Sequence, residues 1–228
     1  MFKWLPKPIY DLYLRHFGTY TLEDPRSTAK SAPYTYFLPS ESKLSKLQPG
    51  DLVKLVFCSH PEGKKWDAER MWVEITQITS DGLHGTLNNI PFDMPQLKVG
   101  DSVQFQIFHV IDIIPTVETD EKAEPERQYW ERCLVDDCVL DGSTPVHFLY
   151  REEPETPEGD KFPDSGWRIR GDYRGLTDEQ IDARKMSYIA LGKVLNADDS
   201  WLHLIDEPIG SGFIRDFATN RYLPEGSQ

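Results

Sequence analysis

Between Arg151 and Gly175 the chain reads REEPETPEGDKFPDSGWRIRGDYRG. Arg151, Arg168, Arg170 and Arg174 alternate there with Glu152, Glu153, Asp164 and Asp172, with Trp167 in the middle and Tyr173 close behind. Arginine forks bind carboxylates two-pronged and stack on aromatic rings. Trp and Arg also dominate the energetics of protein interfaces. Two readings of the tract are open. The charges could close on one another and lock a long loop, with Trp167 as its apolar anchor. Alternatively, Arg151, Glu152, Glu153, Asp164, Trp167, Arg168, Arg170, Asp172 and Tyr173 could form an exposed surface that grips a partner. The charge, Pro and Gly content predicts that the tract is neither helix nor central strand.

Catalytic chemistry has weaker candidates. Glu152-Glu153, Asp136-Asp137 and Asp198-Asp199 are paired carboxylates of the kind used in acid–base catalysis. Sequence neighbours on a strand point to opposite faces, so such pairs make poor dyads. His16, His60, His84, His109, His147 and His203 lie far apart, with no second His at metal-ligand spacing. Gly210-Ser211-Gly212 lacks the further glycines of a dinucleotide fingerprint and the Lys of a phosphate-binding loop. Cys58, Cys133 and Cys138 form no disulfide framework and no C-x-x-C pair, which points to reduced thiols. No catalytic, metal or cofactor residue is assigned, and a binding protein is expected rather than an enzyme.

The elements that would hold these residues fall into two groups. PIYDLYLRHF has the spacing of a short amphipathic helix, and YTLEDPRSTAKSAP reads as a connection. From residue 34 to 115 the signals are those of strands: DLVKLVFCS, MWVEITQIT and DSVQFQIFHVIDII, the last as one strand or two with a bend. Trp72, Glu74 and Thr76 would share one face of the second, and Val73, Ile75 and Gln77 the other. Asp81-Gly82 suits a hairpin turn. Leu47–Leu55 and Leu97–Phe105 both read Leu-x-x-Gly-Asp-x-Val-x-apolar in outline, a turn feeding a strand. PTVETDEKAEPER is the linker candidate. Beyond it, RCLVDDCVLDG and TPVHFLYREE look like strands around an Asp141-Gly142 turn. LTDEQIDARKMSYIALGKVLN reads as one helix, capped by Thr177 with Gln180 three residues on. DDSWLHLI and GSGFIRD look like short strands. The expected fold is α+β: a helix and lead-in at 1–33, a small barrel-like β domain at 34–115, a linker at 116–128 and an α+β domain at 129–228.

Net charge is −13, and it is uneven. Residues 1–115 hold 12 basic and 13 acidic side chains, and residues 116–228 hold 13 and 25. An acidic half repels phosphate backbones, which disfavours nucleic acid as its partner, and it speeds encounter with a basic one. No apolar run approaches the roughly 20 residues that cross a bilayer. The N-terminus has neither the apolar core nor the cleavage site of a secretory signal, so a cytoplasmic location is expected.

The stretch Gly50–Ile113, with Glu69-Arg70-Met71-Trp72-Val73, Gly85-Thr86-Leu87-Asn88-Asn89 and the closing Gly-Asp strand, resembles the bacterial family called domain of unknown function 2314. Ile90-Pro91 departs from the Asp/Glu-Pro step expected there. Val135–Phe217 resembles domain of unknown function 2185, the immunity-protein-33-like family. The matching residues are Tyr150-Arg151-Glu152-Glu153-Pro154, Asp164-Ser165-Gly166-Trp167-Arg168 and Asp206-Glu207-Pro208-Ile209-Gly210, with Phe213 and Arg215. The second resemblance implies an immunity protein that neutralises a cognate toxin by binding it, and implies no catalytic residues. The alternative is a housekeeping or regulatory module whose small barrel binds a peptide or nucleic acid.

Overall fold

The computed structural model describes residues 3–117 and 127–226. The expected linker therefore lies largely outside the described residues. The chain forms two compact units, each built on one six-stranded sheet, and the fold class is α+β. Residues 3–30 and 36–117 belong to the first unit. Residues 31–35 and 127–226 belong to the second, which is thus discontinuous in sequence.

The first unit carries α1 (Lys7–Phe17), β1 (Thr19–Leu22), α2 (Arg26–Ser31), α3 (Glu41–Leu44), β2 (Leu52–His60), β3 (Ala68–Thr79), β4 (Gly82–Leu87), β5 (Ser102–Phe105) and β6 (Asp112–Ile114). The strands run antiparallel in the order β1-β2-β3-β4-β5 and curl into a half-barrel, with β6 also pairing with β2. Alternation fills the concave side. Val53, Leu55, Met71, Val73, Leu83, Leu87, Val103 and Phe105 are all buried. Val73 stands opposite both Val53 and Leu87, so three strands stack apolar side chains in one layer. On β3, Val73 and Ile75 are buried as the alternation predicts, and a bulge between Ile75 and Gln77 then turns Gln77 out to solvent. The last segment divides into β5 and β6, separated by a 3-10 turn at Ile107–His109. The stretch expected as a connection instead contains β1 and α2.

The sequence echo is a repeated turn. Gly50 and Gly100 have φ of 97° and 88°. In each copy the following Asp caps the turn: Asp51 accepts from the Gln48 amide at 3.0 Å, and Asp101 from the Lys98 amide at 2.9 Å. Side chains with a Cβ are strained at such φ, which explains the recurring Gly-Asp pair.

The second unit carries β7 (Arg132–Asp136), α4 (Asp137–Leu140), β8 (Val146–Arg151), β9 (Asp164–Gly171), α5 (Asp178–Asp182), β10 (Met186–Ala190), α6 (Leu191–Ala197), β11 (Gly212–Asp216) and β12 (Arg221–Pro224). The strand order is β10-β7-β9-β8-β11-β12. All pairs are antiparallel except β7 with β9. Cys133, Val135, Leu149, Trp167 and Ile169 on the inner face pack with Val139, Leu191, Val194, Leu195 and Trp201.

Several expectations are corrected here. The charged tract does contain a central strand, β9, buried along nearly its whole length. RCLVDDCVLDG ends as α4, because the strand stops at Asp136. The single helix expected from Leu176 onward is three elements: α5, whose Thr177–Gln180 capping box forms as expected, then β10, then α6. DDSWLHLI forms turns and a 3-10 segment at Leu202–Leu204 instead of a strand, and β12 had no counterpart in the sequence expectations.

Candidate functional site

The central strand tolerates its charges because each one is matched. On β9, Trp167 and Ile169 face the core, so Arg168 and Arg170 emerge on the outer face. Arg168 Nη2 lies 2.8 Å from Asp164 Oδ2, and its Nε binds Glu152. Arg170 Nε lies 3.0 Å from Asp136 Oδ1, and Arg184 Nη1 lies 3.1 Å from the other oxygen of that buried carboxylate. Buried carboxylates need such partners, since removing an ion from water costs several kcal/mol, on the order of 5. Burial alone would push the Asp164 carboxyl up. Hydrogen bonds from Arg168 and from the Glu155 and Gly166 amides overcome this and hold it below the usual carboxylate range.

Three stretches distant in sequence meet at Arg151. Its Nε donates to the Ser165 carbonyl at 3.0 Å and its Nη1 to the Glu207 carbonyl at 2.6 Å. Its amide donates to the Ser211 carbonyl at 2.8 Å, and its carbonyl accepts from the Gly210 amide at 2.7 Å. The guanidinium also sits 5.7 Å from the centre of the Trp167 ring. YREEP, DSGWR and DEPIG are thus tied into one knot around a single arginine.

Trp167 is fully buried. Its indole Nε1 donates to the Ile205 carbonyl at 3.1 Å, and its ring meets Trp201 edge-on at 5.7 Å. The expectation of an exposed gripping surface is therefore corrected at Asp164, Trp167 and Arg168, all buried. They hold the strand in place. Glu152 and Glu153 are exposed. Asp172 is half-buried and chelated by Arg174, whose hydrogen bonds draw its carboxyl down to about 2.

Arg151, Arg170 and Tyr173 do come together, in a cavity of about 600 Å³ on the outer face. Phe148, Tyr150, Ile181, Gly210, Ser211 and Glu225 complete its wall. Such a volume lies in the range that accommodates a small ligand or a few side chains of a partner. The Phe148 and Tyr150 rings stack at 5.4 Å, and Tyr173 stands edge-on to Phe148 at 6.4 Å. Strand pleating puts Phe148 and Tyr150 there, since the inward residue between them is Leu149. That signal was present in the sequence as Phe-Leu-Tyr within TPVHFLYREE, a segment recognised as a strand without its faces being assigned. Exposed carboxylates lie in the chain on both sides of lining residues: Glu152 and Glu153 follow Arg151, and Asp178, Glu179 and Asp182 lie on α5, which supplies Ile181 to the wall.

Among the described residues, no cluster of three or more His, Cys, Asp or Glu has the arrangement of a metal site. Among the same residues, no helix is long and apolar enough to cross a membrane.

Comparison with curated proteins returned no match, and neither did comparison with solved structures. Two family models do match. Residues 28–123 match the one described as an uncharacterized protein conserved in bacteria (DUF2314). Residues 133–223, which include the central strand and all of the cavity wall except Glu225, match the Immunity protein Imm33 domain. The chain is thus similar to the DUF2314 model over residues 28–123 and to the Imm33 model over residues 133–223.

Proposed function

We propose that this is a non-enzymatic bacterial protein of the cytoplasm that neutralises a cognate toxin by direct binding. The observation that carries the proposal is the outer face of the second sheet. A half-buried aromatic floor of Phe148, Tyr150 and Tyr173 lies in a stretch matched to an immunity domain, with exposed carboxylates next in the chain to its lining residues Arg151 and Ile181. Exposed carboxylates would attract a basic toxin and set the association rate, while the aromatic floor would set residence time. Protection would be steric, by occupying the toxin's working surface.

The test is co-expression of the chain with each protein encoded beside its gene in a sensitive bacterial host. Restored growth, a purified complex and an association rate that falls as salt rises support the proposal. If no neighbour is toxic, or if the toxic one neither binds nor is neutralised, the proposal fails.

A second reading has its own observation. On the first unit, Ile90 and Phe92 are 86% and 69% exposed and border a cavity with Arg15 and Lys98. That surface suits a peptide-binding regulatory module. Phe92→Ser would abolish partner capture under this reading and leave it intact under the first.

A further inference from the structure

On the first unit a loop presents large apolar side chains to solvent although its backbone is fastened. Glu69 accepts from the Phe92 amide at 2.8 Å and from the Asp93 amide at 2.6 Å. The Asn89 side-chain oxygen accepts from the Trp72 amide, and the Asn88 amide donates to the Trp72 carbonyl at 2.8 Å. The buried Asp93 carboxylate accepts from the Lys65 and Trp66 amides and pairs with Lys7 at 3.1 Å. Glu69-Arg70-Met71-Trp72-Val73 and Gly85-Thr86-Leu87-Asn88-Asn89 thus supply anchors for the loop, and the ring of Pro91 fixes one φ within it. Ile90 and Phe92 nevertheless stand exposed. Their backbone has little freedom left for a partner to remove, which favours binding.

These two side chains, with Pro95, Leu97 and Val99, line a cavity of about 740 Å³. Lys7, Asp11 and Arg15 also line it, four residues apart on one face of α1. Lys7 is engaged by Asp11 and Asp93. Arg15 and Lys98, the other cations of the wall, are exposed, and neither side chain has an ion pair or hydrogen bond to a described residue. Lys65 Nζ, 6.0 Å from the centre of the Phe92 ring, adds to the positive side. An apolar wall is therefore flanked by uncompensated positive charge.

We infer that this cavity docks an acidic segment of a partner protein, with a bulky apolar side chain set against Ile90 and Phe92 and carboxylates facing Arg15 and Lys98. This deepens the reading of the surface as a peptide-binding module and rests on it. A basic segment meets like charge and is turned away. A bilayer is flat and does not fill a concave cavity. A nucleic-acid backbone is held by many cations, about 6–10 in a typical site, and far fewer stand here.

The test uses the isotope-labelled full chain and four capped tetrapeptides. They are N-acetyl-Asp-Leu-Phe-Glu-amide, its Asn/Gln counterpart, its Lys/Lys counterpart and an acidic form with Ala-Ala at its centre. The first is expected to give saturable NMR amide shifts at Asn89–Asp93 and Leu97–Val99. The neutral probe should bind about threefold more weakly and the Lys probe about tenfold, as exposed ion pairs are lost or reversed. The Ala-centred probe should lose about tenfold or more with its apolar contact. Arg15→Glu combined with Lys98→Glu should reverse the order, so that the Lys probe binds more tightly than the acidic one. Both side chains are exposed and without partners among the described residues, so the variant should melt with the parent.

A Lys probe that binds the parent as tightly as the acidic probe overturns the inference. So does an unchanged order in the double variant, or the absence of shifts with all four probes. Oligothymidylate and phosphatidylglycerol vesicles are two further arms, and if either moves the same amides at lower concentration than the acidic probe, the protein-segment assignment falls. The module reading fails separately. If the acidic probe binds as expected but Phe92→Ser leaves a purified partner's affinity unchanged, the cavity's preference stands and that partner docks elsewhere. If Phe92→Ser abolishes the partner's binding while the parent prefers the Lys probe, the module reading stands and the acidic assignment falls.

Discussion

Replacing Trp167 with Ala measures how far the charged tract is architecture. The side chain is 0% exposed, lies on the central strand, and donates to the Ile205 carbonyl. Truncating a buried Trp costs about 3–5 kcal/mol, including the cavity it leaves. Its edge-on contact with Trp201 falls within that cost, and leaving the Ile205 carbonyl without its donor adds about 1 kcal/mol. The expected loss is about 4–6 kcal/mol, close to the whole stability of a small domain at about 5–15 kcal/mol. At about 4–8 °C per kcal/mol, the melting transition of the second unit should fall by at least about 15 °C. Near-ultraviolet circular dichroism during thermal and urea unfolding reads this directly. Trp167→Phe retains most of the ring and should lose only about 1–3 kcal/mol. If Trp167→Ala melts within about 3 °C of the parent, the ring is not a core element and the account of β9 as the unit's keystone is wrong.

Asp164→Asn strands the buried Arg168 guanidinium with only the exposed Glu152 as a carboxylate partner, and should destabilise by about 3 kcal/mol in chemical denaturation. Because the Asp164 carboxyl titrates below its ordinary range in the fold, its stabilisation is present above that range and is lost as pH falls through the lowered value. Acid-unfolding curves of Asp164→Asn should therefore be flatter than those of the parent. His147 is buried against Tyr173 and Phe217, and burial, reinforced by Arg174 and Arg215 against the pull of Asp172, lowers its pKa. The unfolded chain then binds the extra proton, so stability should fall as pH drops below about 6.5, and His147→Gln should remove that component. Gly166→Ala places a methyl group 2.2 Å from the Glu152 carbonyl at φ of 80° and should cost at least about 2 kcal/mol. Gly159→Ala, at φ of 85° but in open space, should cost about 1 kcal/mol, and the two melting curves separate the clash from the backbone strain.

The first sheet was legible because its signals are local. The Gly-Asp turns, the Asp81-Gly82 hairpin and the alternation of Val53, Leu55, Val73 and Ile75 each operate within a few residues. The second unit was less so. β9 carries Asp164, Arg168 and Arg170, which argue against a central strand until Asp136 and Glu152 are seen to neutralise them. Those partners are set by sheet order, which no local window contains. In the same way Met186–Ala190 lies between two helical segments and is a strand only because β7 offers it an edge. Of the proposed contact residues, Arg151, Arg170 and Tyr173 reach one cavity, whereas Trp167 was ambiguous between core and surface and the packing decides for the core.

The five residues 31–35 precede the whole of β2 to β6 in the chain, yet Tyr34 and Thr35 are fastened by Asn196, and Tyr34 packs edge-on against Tyr129 at 5.9 Å. A gene cut between the two sheets does not yield two intact halves. A fragment beginning near Arg127 would lose the cover over Gly192 and leave Asn196 without Tyr34 and Thr35, so its behaviour in isolation would understate what the intact second unit can do. During synthesis the ribosome releases that small clasp long before the strands it closes upon. Completion of the later unit must wait for a piece delivered early, and any swap of halves between related genes has to carry residues 31–35 across with the C-terminal half.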